Sequence, residues 1–157
     1  MDIPPIDLDE VDRRILNVLQ NNAALNNAEL AQAVHVSPPT CLRRVKHLTE
    51  SGVIERQVAI VSPEKVGARL TAIVEITLDV QAAERLEEFE AHVAGDEAVL
   101  QCYRVSPGPD FVLVIQVADM PAYNALAHRL FATKTNVRNV KTYFSTLRSK
   151  FETRITV

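Results

Sequence analysis

The chain has 157 residues, 47% apolar and 24% charged, with four glycines and eight prolines. That is ordinary globular composition and excludes disordered, collagen-like and fibrous architectures. A formal charge of −3, two cysteines, no tryptophan and 5% aromatics exclude a strongly basic chain, a disulfide framework and an aromatic base-stacking platform. The longest uninterrupted apolar run, Phe111 to Ile115, falls far short of the roughly 18 residues of a membrane span. The N-terminus carries neither a basic n-region nor an apolar h-region. These features predict a soluble cytoplasmic protein with reduced thiols and no membrane partner.

Charge is unevenly placed. Residues 1–62 hold six Lys/Arg against eight Asp/Glu, yet Arg43, Arg44, Lys46 and His47 stand together between Pro38 and Thr49 without an acid. From Arg129 onward there are seven Lys/Arg and one acid, Glu152.

In chain order, Asp7 with Glu10 reads as a capping box, and Leu8, Val11, Ile15 and Val18 follow at helical spacing to about Gln20. Asn26 with Glu29 reads as a second box, opening a short helix with Leu30, Ala31 and Val34 inward. Ser37 is a good N-cap and Pro38 suits the first helical position, because its missing N–H would be unbonded there. The third helix is predicted over 38–51, with Leu42, Val45 and Leu48 buried and Gly52 as its left-handed stop. His35 occupies the turn position that often takes Gly, and must then adopt positive φ. Val53 to Val61 alternates loosely, as a two-stranded ribbon does.

Long helix, short helix, tight turn and capped third helix is helix-turn-helix spacing. It leaves Ser37, Pro39, Thr40, Arg43, Arg44, Lys46 and His47 as candidate DNA-contacting residues. Guanidinium and ammonium groups suit phosphate and guanine O6/N7, and small polar groups suit base edges.

After Ser62-Pro63 the period becomes two. Leu70, Ala72, Val74, Ile76 and Leu78 share one face of a strand. Residues 81–94 form a helix with Leu86, Phe89 and Val93 inward. Val99 to Val105 and Phe111 to Val117 are strands joined by a turn, Ser106 to Asp110. Asp119 caps a helix carrying Tyr123, Leu126 and Leu130, and Val137 to Leu147 is the last strand. This β-α-β-β-α-β order is ferredoxin-like. It leaves one sheet face without helices, which predicts burial of that face in a homodimer. The fold class is therefore α+β, with domains at 1–52 (helix-turn-helix), 53–65 (ribbon or linker) and 66–157 (ferredoxin-like).

The residues Leu8-Asp9-Glu10-Val11-Asp12-Arg13-Arg14-Ile15-Leu16, Glu29-Leu30-Ala31, and Ser37-Pro38-Pro39-Thr40-Cys41-Leu42-Arg43-Arg44-Val45-Lys46-His47-Leu48 with Gly52-Val53-Ile54 resemble the Lrp/AsnC family of transcription regulators. Val74-Glu75-Ile76-Thr77-Leu78 and Val117-Ala118-Asp119-Met120-Pro121-Ala122-Tyr123 extend the resemblance over essentially the whole chain. The resemblance implies a regulator of double-stranded DNA whose dimers commonly assemble into octamers. It also implies that the first domain is winged, that the last is an effector and oligomerisation domain, and that an amino acid or related small molecule binds between dimers.

The family's effector loop usually reads Gly-x-x-Asp, and the aligned residues here are Pro107-Gly108-Pro109-Asp110. The nominated effector residues are Arg104, Ser106, Pro107, Gly108 and Asp110. Two prolines remove N–H donors that could hold a carboxylate, so either a different effector or none is accepted. Asp110 either pairs with a ligand ammonium or caps its own turn, and Cys41 is either a packing residue or a redox switch. The four histidines are too scattered for a metal site, no cofactor is called for, and no catalytic fingerprint is found. The rival to an effector-gated, nucleoid-associated regulator is an architectural protein that wraps DNA with little effector control.

Overall fold

A computed structural model describes residues 6–132 and 136–157. The chain divides into two compact units, Met1–Ile60 with Lys150–Val157, and Val61–Ser149.

The first unit is built on α1 (Glu10–Asn21), α2 (Asn27–Ala33) and α3 (Pro38–Glu50). The cap of α1 lies one pair further on than the sequence predicts. Asp9, not Asp7, is the N-cap and accepts from the Asp12 N–H at 2.9 Å, while the Asp9 N–H donates to the Asp12 carboxylate at 3.3 Å. Asn26 caps α2 as expected, closing a reciprocal box with Glu29. His35 takes φ 58°, and the Val36 N–H donates to the Ala31 carbonyl at 3.0 Å, which fixes the tight turn into α3. Gly52, at φ 77°, ends α3 in the left-handed region that glycine enters without penalty. The Ile54 N–H then returns to the Leu48 carbonyl at 2.9 Å.

The core of this unit is Ile15, Leu16, Leu30, Ala31, Val34, Cys41 and Leu48, with Val53, Ile54 and Val157 packed against it. The buried stripe of α3 therefore begins at Cys41. Leu42, predicted to be inside, is 59% exposed. Residues 55–61 have no ladder partner among the described residues, so the expected two-stranded ribbon is not formed within the chain. The tail, placed by sequence in the 66–157 domain, groups with the first unit. Gln20 exchanges two hydrogen bonds with the backbone of Ile155, at 2.8 and 3.1 Å, and Arg154 donates to Asn21 at 3.2 Å.

The second unit runs β1 (Leu70–Leu78), α4 (Ala83–Ala94), β2 (Val99–Arg104), β3 (Phe111–Val117), α5 (Met120–Ala127) and β4 (Val137–Phe144), with a π-helical turn His128–Ala132 after α5. The sheet order is β2-β3-β1-β4 with every pair antiparallel, the ferredoxin-like arrangement. Ala72, Val74, Ile76 and Leu78 of β1 join Phe111, Leu113, Ile115 and Val117 of β3 in one buried layer. Phe89 and Val93 of α4, with Tyr123 and Leu126 of α5, cover that layer. On the other face, register aligns Gln101, Val114, Ile73 and Tyr143 in one row and Tyr103, Val112, Glu75 and Lys141 in the next.

Candidate nucleic-acid interface and effector loop

The nominated residues of α3 separate into two groups. Pro39, Arg43, Lys46 and His47 are exposed along one side of the helix, Ser37 is exposed at its N-cap, and Thr40 is half-buried. Ser37 does not cap α3 through its side chain, and its Oγ lies 2.8 Å from Thr40 Oγ1. Arg43 makes no ion pair among the described residues, and Lys46 reaches Glu50 at 3.6 Å with both side chains well exposed. These cations are open to an anionic partner.

Arg44 is not on that side. Its Nη1 donates to Asp9 Oδ2 at 2.6 Å and to Asp12 Oδ1 at 2.9 Å, which binds α3 to the cap of α1. Asp12 is 9% exposed, the one buried charged residue among the described residues. The Asp12 N–H and then the Arg44 guanidinium hold the Asp9 carboxyl below its usual range. Through these pairs Arg44 positions α3 against α1 in the DNA-free chain, while the sequence nominates it as a DNA contact. Reasoning from sequence also missed Asp9 and Asp12 in this role. The signal was a pair of acids at the start of α1 with a cation on a helix 35 residues away. Cys41 is fully buried, and burial pushes its thiol up, away from the reactive thiolate. It packs as a small apolar residue.

In the second unit, the turn between β2 and β3 holds Ser106, Pro107 and Gly108 exposed, with a cis Ser106–Pro107 peptide and Gly108 at φ 123°. Asp110 closes it. The Val105 N–H donates to the Asp110 carbonyl at 3.0 Å, and the Asp110 N–H donates to the Ile76 carbonyl at 2.8 Å. Asp110 Oδ2 accepts the Leu78 N–H at 2.7 Å. The Asp110 carboxylate thus caps the end of β1, an adjacent strand, and not its own turn. Arg104 is likewise engaged, donating from Nε and Nη2 to the two carboxylate oxygens of Glu90 at 2.9 Å each. A cavity of about 740 Å³ opens between α4 and the ends of β1 and β4, lined by Val80, Arg85, Phe89, His92, Asn136 and others. None of the nominated effector residues lines it. Among the described residues, no cluster of His, Cys, Asp and Glu is arranged to hold a metal ion, and no helix is long and apolar enough to cross a membrane.

A capped helix-turn-helix presenting cations, joined in one chain to a ferredoxin-like domain, defines the class: a helix-turn-helix protein of two units with the chemistry to meet DNA. Comparison with known proteins agrees and narrows it. Residues 8–55 match the winged helix-turn-helix DNA-binding family, and residues 71–155 match the Lrp/AsnC ligand binding domain. The leucine-responsive regulatory protein of Salmonella typhimurium is 38% identical over 140 residues, covering 89% of this chain and 85% of that relative. An uncharacterised HTH-type transcriptional regulator of Haemophilus influenzae is 39% identical over 137 residues, covering 87% and 82%. The crystal structure of an AsnC family regulator from Agrobacterium tumefaciens superposes with a TM-score of 0.89 at 34% identity, covering 94% of this chain and 96% of that one. A Neisseria meningitidis regulator solved with L-Met gives 0.88 at 32% identity, covering 95% and 96%. The chain belongs to the Lrp/AsnC family of transcriptional regulators, a family of DNA-binding proteins and not of enzymes.

Proposed function

We propose that this protein is a sequence-specific regulator whose α3 enters the major groove, with Arg43 and Lys46 as cationic contacts, His47 as a further polar contact, and Ser37, Pro39 and Thr40 near the bases. The observation that carries this reading is the division of α3, in which Arg44 is tied to two acids while its neighbouring cations remain open to solvent. Homodimers would read half-sites about one helical turn apart, or multiples of it. Octamers are the further assembly that the family resemblance implies. In this reading the protein works in the cytoplasm, associated with the nucleoid.

The effector in this reading is an amino acid or a related small molecule, supported by the ligand-domain match and by the Neisseria relative solved with L-Met. Because Asp110 and Arg104 are both occupied by partners within the chain, we assign them to shaping the loop. The exposed Ser106, Pro107 and Gly108 remain the nominated contacts. Control would come from differential affinity of the effector for two arrangements of the assembled dimers.

The test titrates the protein against its own upstream DNA and a scrambled duplex at two salt concentrations, with and without the twenty amino acids. Selective binding shifted by the pool is the expected result. Selective binding that no amino acid shifts removes amino-acid control. Equal, salt-steep binding to both duplexes overturns sequence-specific regulation in favour of DNA wrapping. Arg43→Ala is expected to weaken specific binding by about 1–3 kcal/mol.

A further inference from the structure

The exposed side of α3 is not uniformly polar. Leu42 is 59% exposed, beside Arg43, one turn after Pro39 and one turn before Lys46. A single exposed leucine on a protein surface is unremarkable. This one lies within the cationic side of the helix, while Cys41 and Leu48 fill the core behind it and Arg44 anchors the flank. Along α3 the only acid is Glu50, at its last residue. A polyanion is therefore the partner whose charge complements the surroundings of Leu42.

Leucine has no donor or acceptor, so it is blind to the hydrogen-bonding pattern on base edges. The apolar feature of the major groove is the thymine C5-methyl group. We infer that Leu42 is a specificity-determining residue that selects thymine at one position of each half-site by burying its methyl group, with Pro39 extending the same apolar strip along the groove. The inference rests on α3 being the DNA-reading helix. Arg43 and Lys46 supply affinity through phosphate or guanine, whereas Leu42 supplies discrimination that no charge provides.

The experiment first selects duplexes from a random pool with the full-length protein. Each thymine of the selected site is then replaced, one at a time, by deoxyuridine, which keeps every hydrogen bond and removes only the methyl group. The wild type is expected to lose about fourfold in affinity at one thymine per half-site, the value of one buried methylene. Leu42→Ala is expected to bind the thymine and deoxyuridine duplexes equally, and Leu42→Met to retain the discrimination. Because Leu42 lies outside the core, both variants are expected to melt as the wild type does. Comparing the variant and the base change in a cycle removes any effect of deoxyuridine on DNA shape. Discrimination unchanged in Leu42→Ala, or no thymine at which the wild type is sensitive, overturns the inference while α3 stays the reading helix. A pool that enriches no sequence, or an Arg43→Ala variant with undiminished affinity, overturns the underlying reading instead.

Discussion

Arg43 and Arg44 are chemically identical neighbours in opposite surroundings, and the difference is one of angle. A step of about 100° around the helix carries Arg44 from solvent to the flank that meets α1. There its guanidinium meets two carboxylates, one of them buried, and the geometry lies between an exposed pair and a fully desolvated one. Arg44→Ala is therefore expected to destabilise the helix-turn-helix by about 1–2 kcal/mol and to leave Asp12 without its counter-charge. Arg43→Ala is expected to leave stability unchanged. Urea unfolding of both variants checks this, and equal stability of the two would refute the positioning role. The pH dependence follows from Asp9. Its carboxyl is held below the ordinary value of 3.8, so the unfolded chain takes up the proton first. The contribution is present in full above that value and is lost as pH falls through the lower folded-state value. The stability gap between wild type and Arg44→Ala is expected to stay level near neutrality and to close in acid below 3.8.

At the scale of elements, the tail makes the sharpest demand. Val157 packs on the core of the first unit, and Ile155 is held through both its N–H and its carbonyl by Gln20. Ending the chain at Ser149 removes those contacts, and a loss of about 1–2 kcal/mol is expected, concentrated in α1. Hydrogen exchange would show it as faster exchange in α1 with the amides of β1 and β3 unchanged. No sequence signal pairs the tail with α1, because residues 135 apart carry no periodic relation. Legibility tracked locality throughout. The Asn26–Glu29 box, the Ser37-Pro38 start of α3, positive φ at His35 and strand β3 are each written in seven or fewer consecutive residues. The start of α1 slipped because Asp7 and Asp9 both offer capping chemistry and only geometry chooses between them. Leu42, Val45 and Leu48 share helical spacing, but so do Cys41, Val45 and Leu48, and packing against α1 and α2 selects the stripe that holds Cys41. The roles of Arg44, Arg104 and Asp110 were illegible because each is decided by a partner on another element.

For the molecule as a whole, the sheet face opposite the helices carries the remaining argument. Its central row sets Ile73, 41% exposed, between Val114 and Tyr143, 43% exposed. In the next row Val112 lies between Tyr103, 53% exposed, and Glu75, which pairs across to Lys141. An apolar centre with aromatic flanks and charge at one edge has the anatomy of an interface core and rim. A two-fold axis through such a face presents every residue twice, so one substitution acts on both sides. In a homodimer joined through this face, Ile73→Asp would place two carboxylates at the centre of the joint without touching the Ala72, Val74 and Ile76 layer behind it. It is expected to weaken self-association by more than about a hundredfold, since two uncompensated charges each cost several kcal/mol on desolvation. Sedimentation at several concentrations reads this directly, with a retained melting transition showing that the fold survives. Binding to DNA should follow assembly, so Ile73→Asp should lose affinity for a paired half-site while keeping that for a single one. A variant that still sediments as the wild type would overturn this face as the site of self-association.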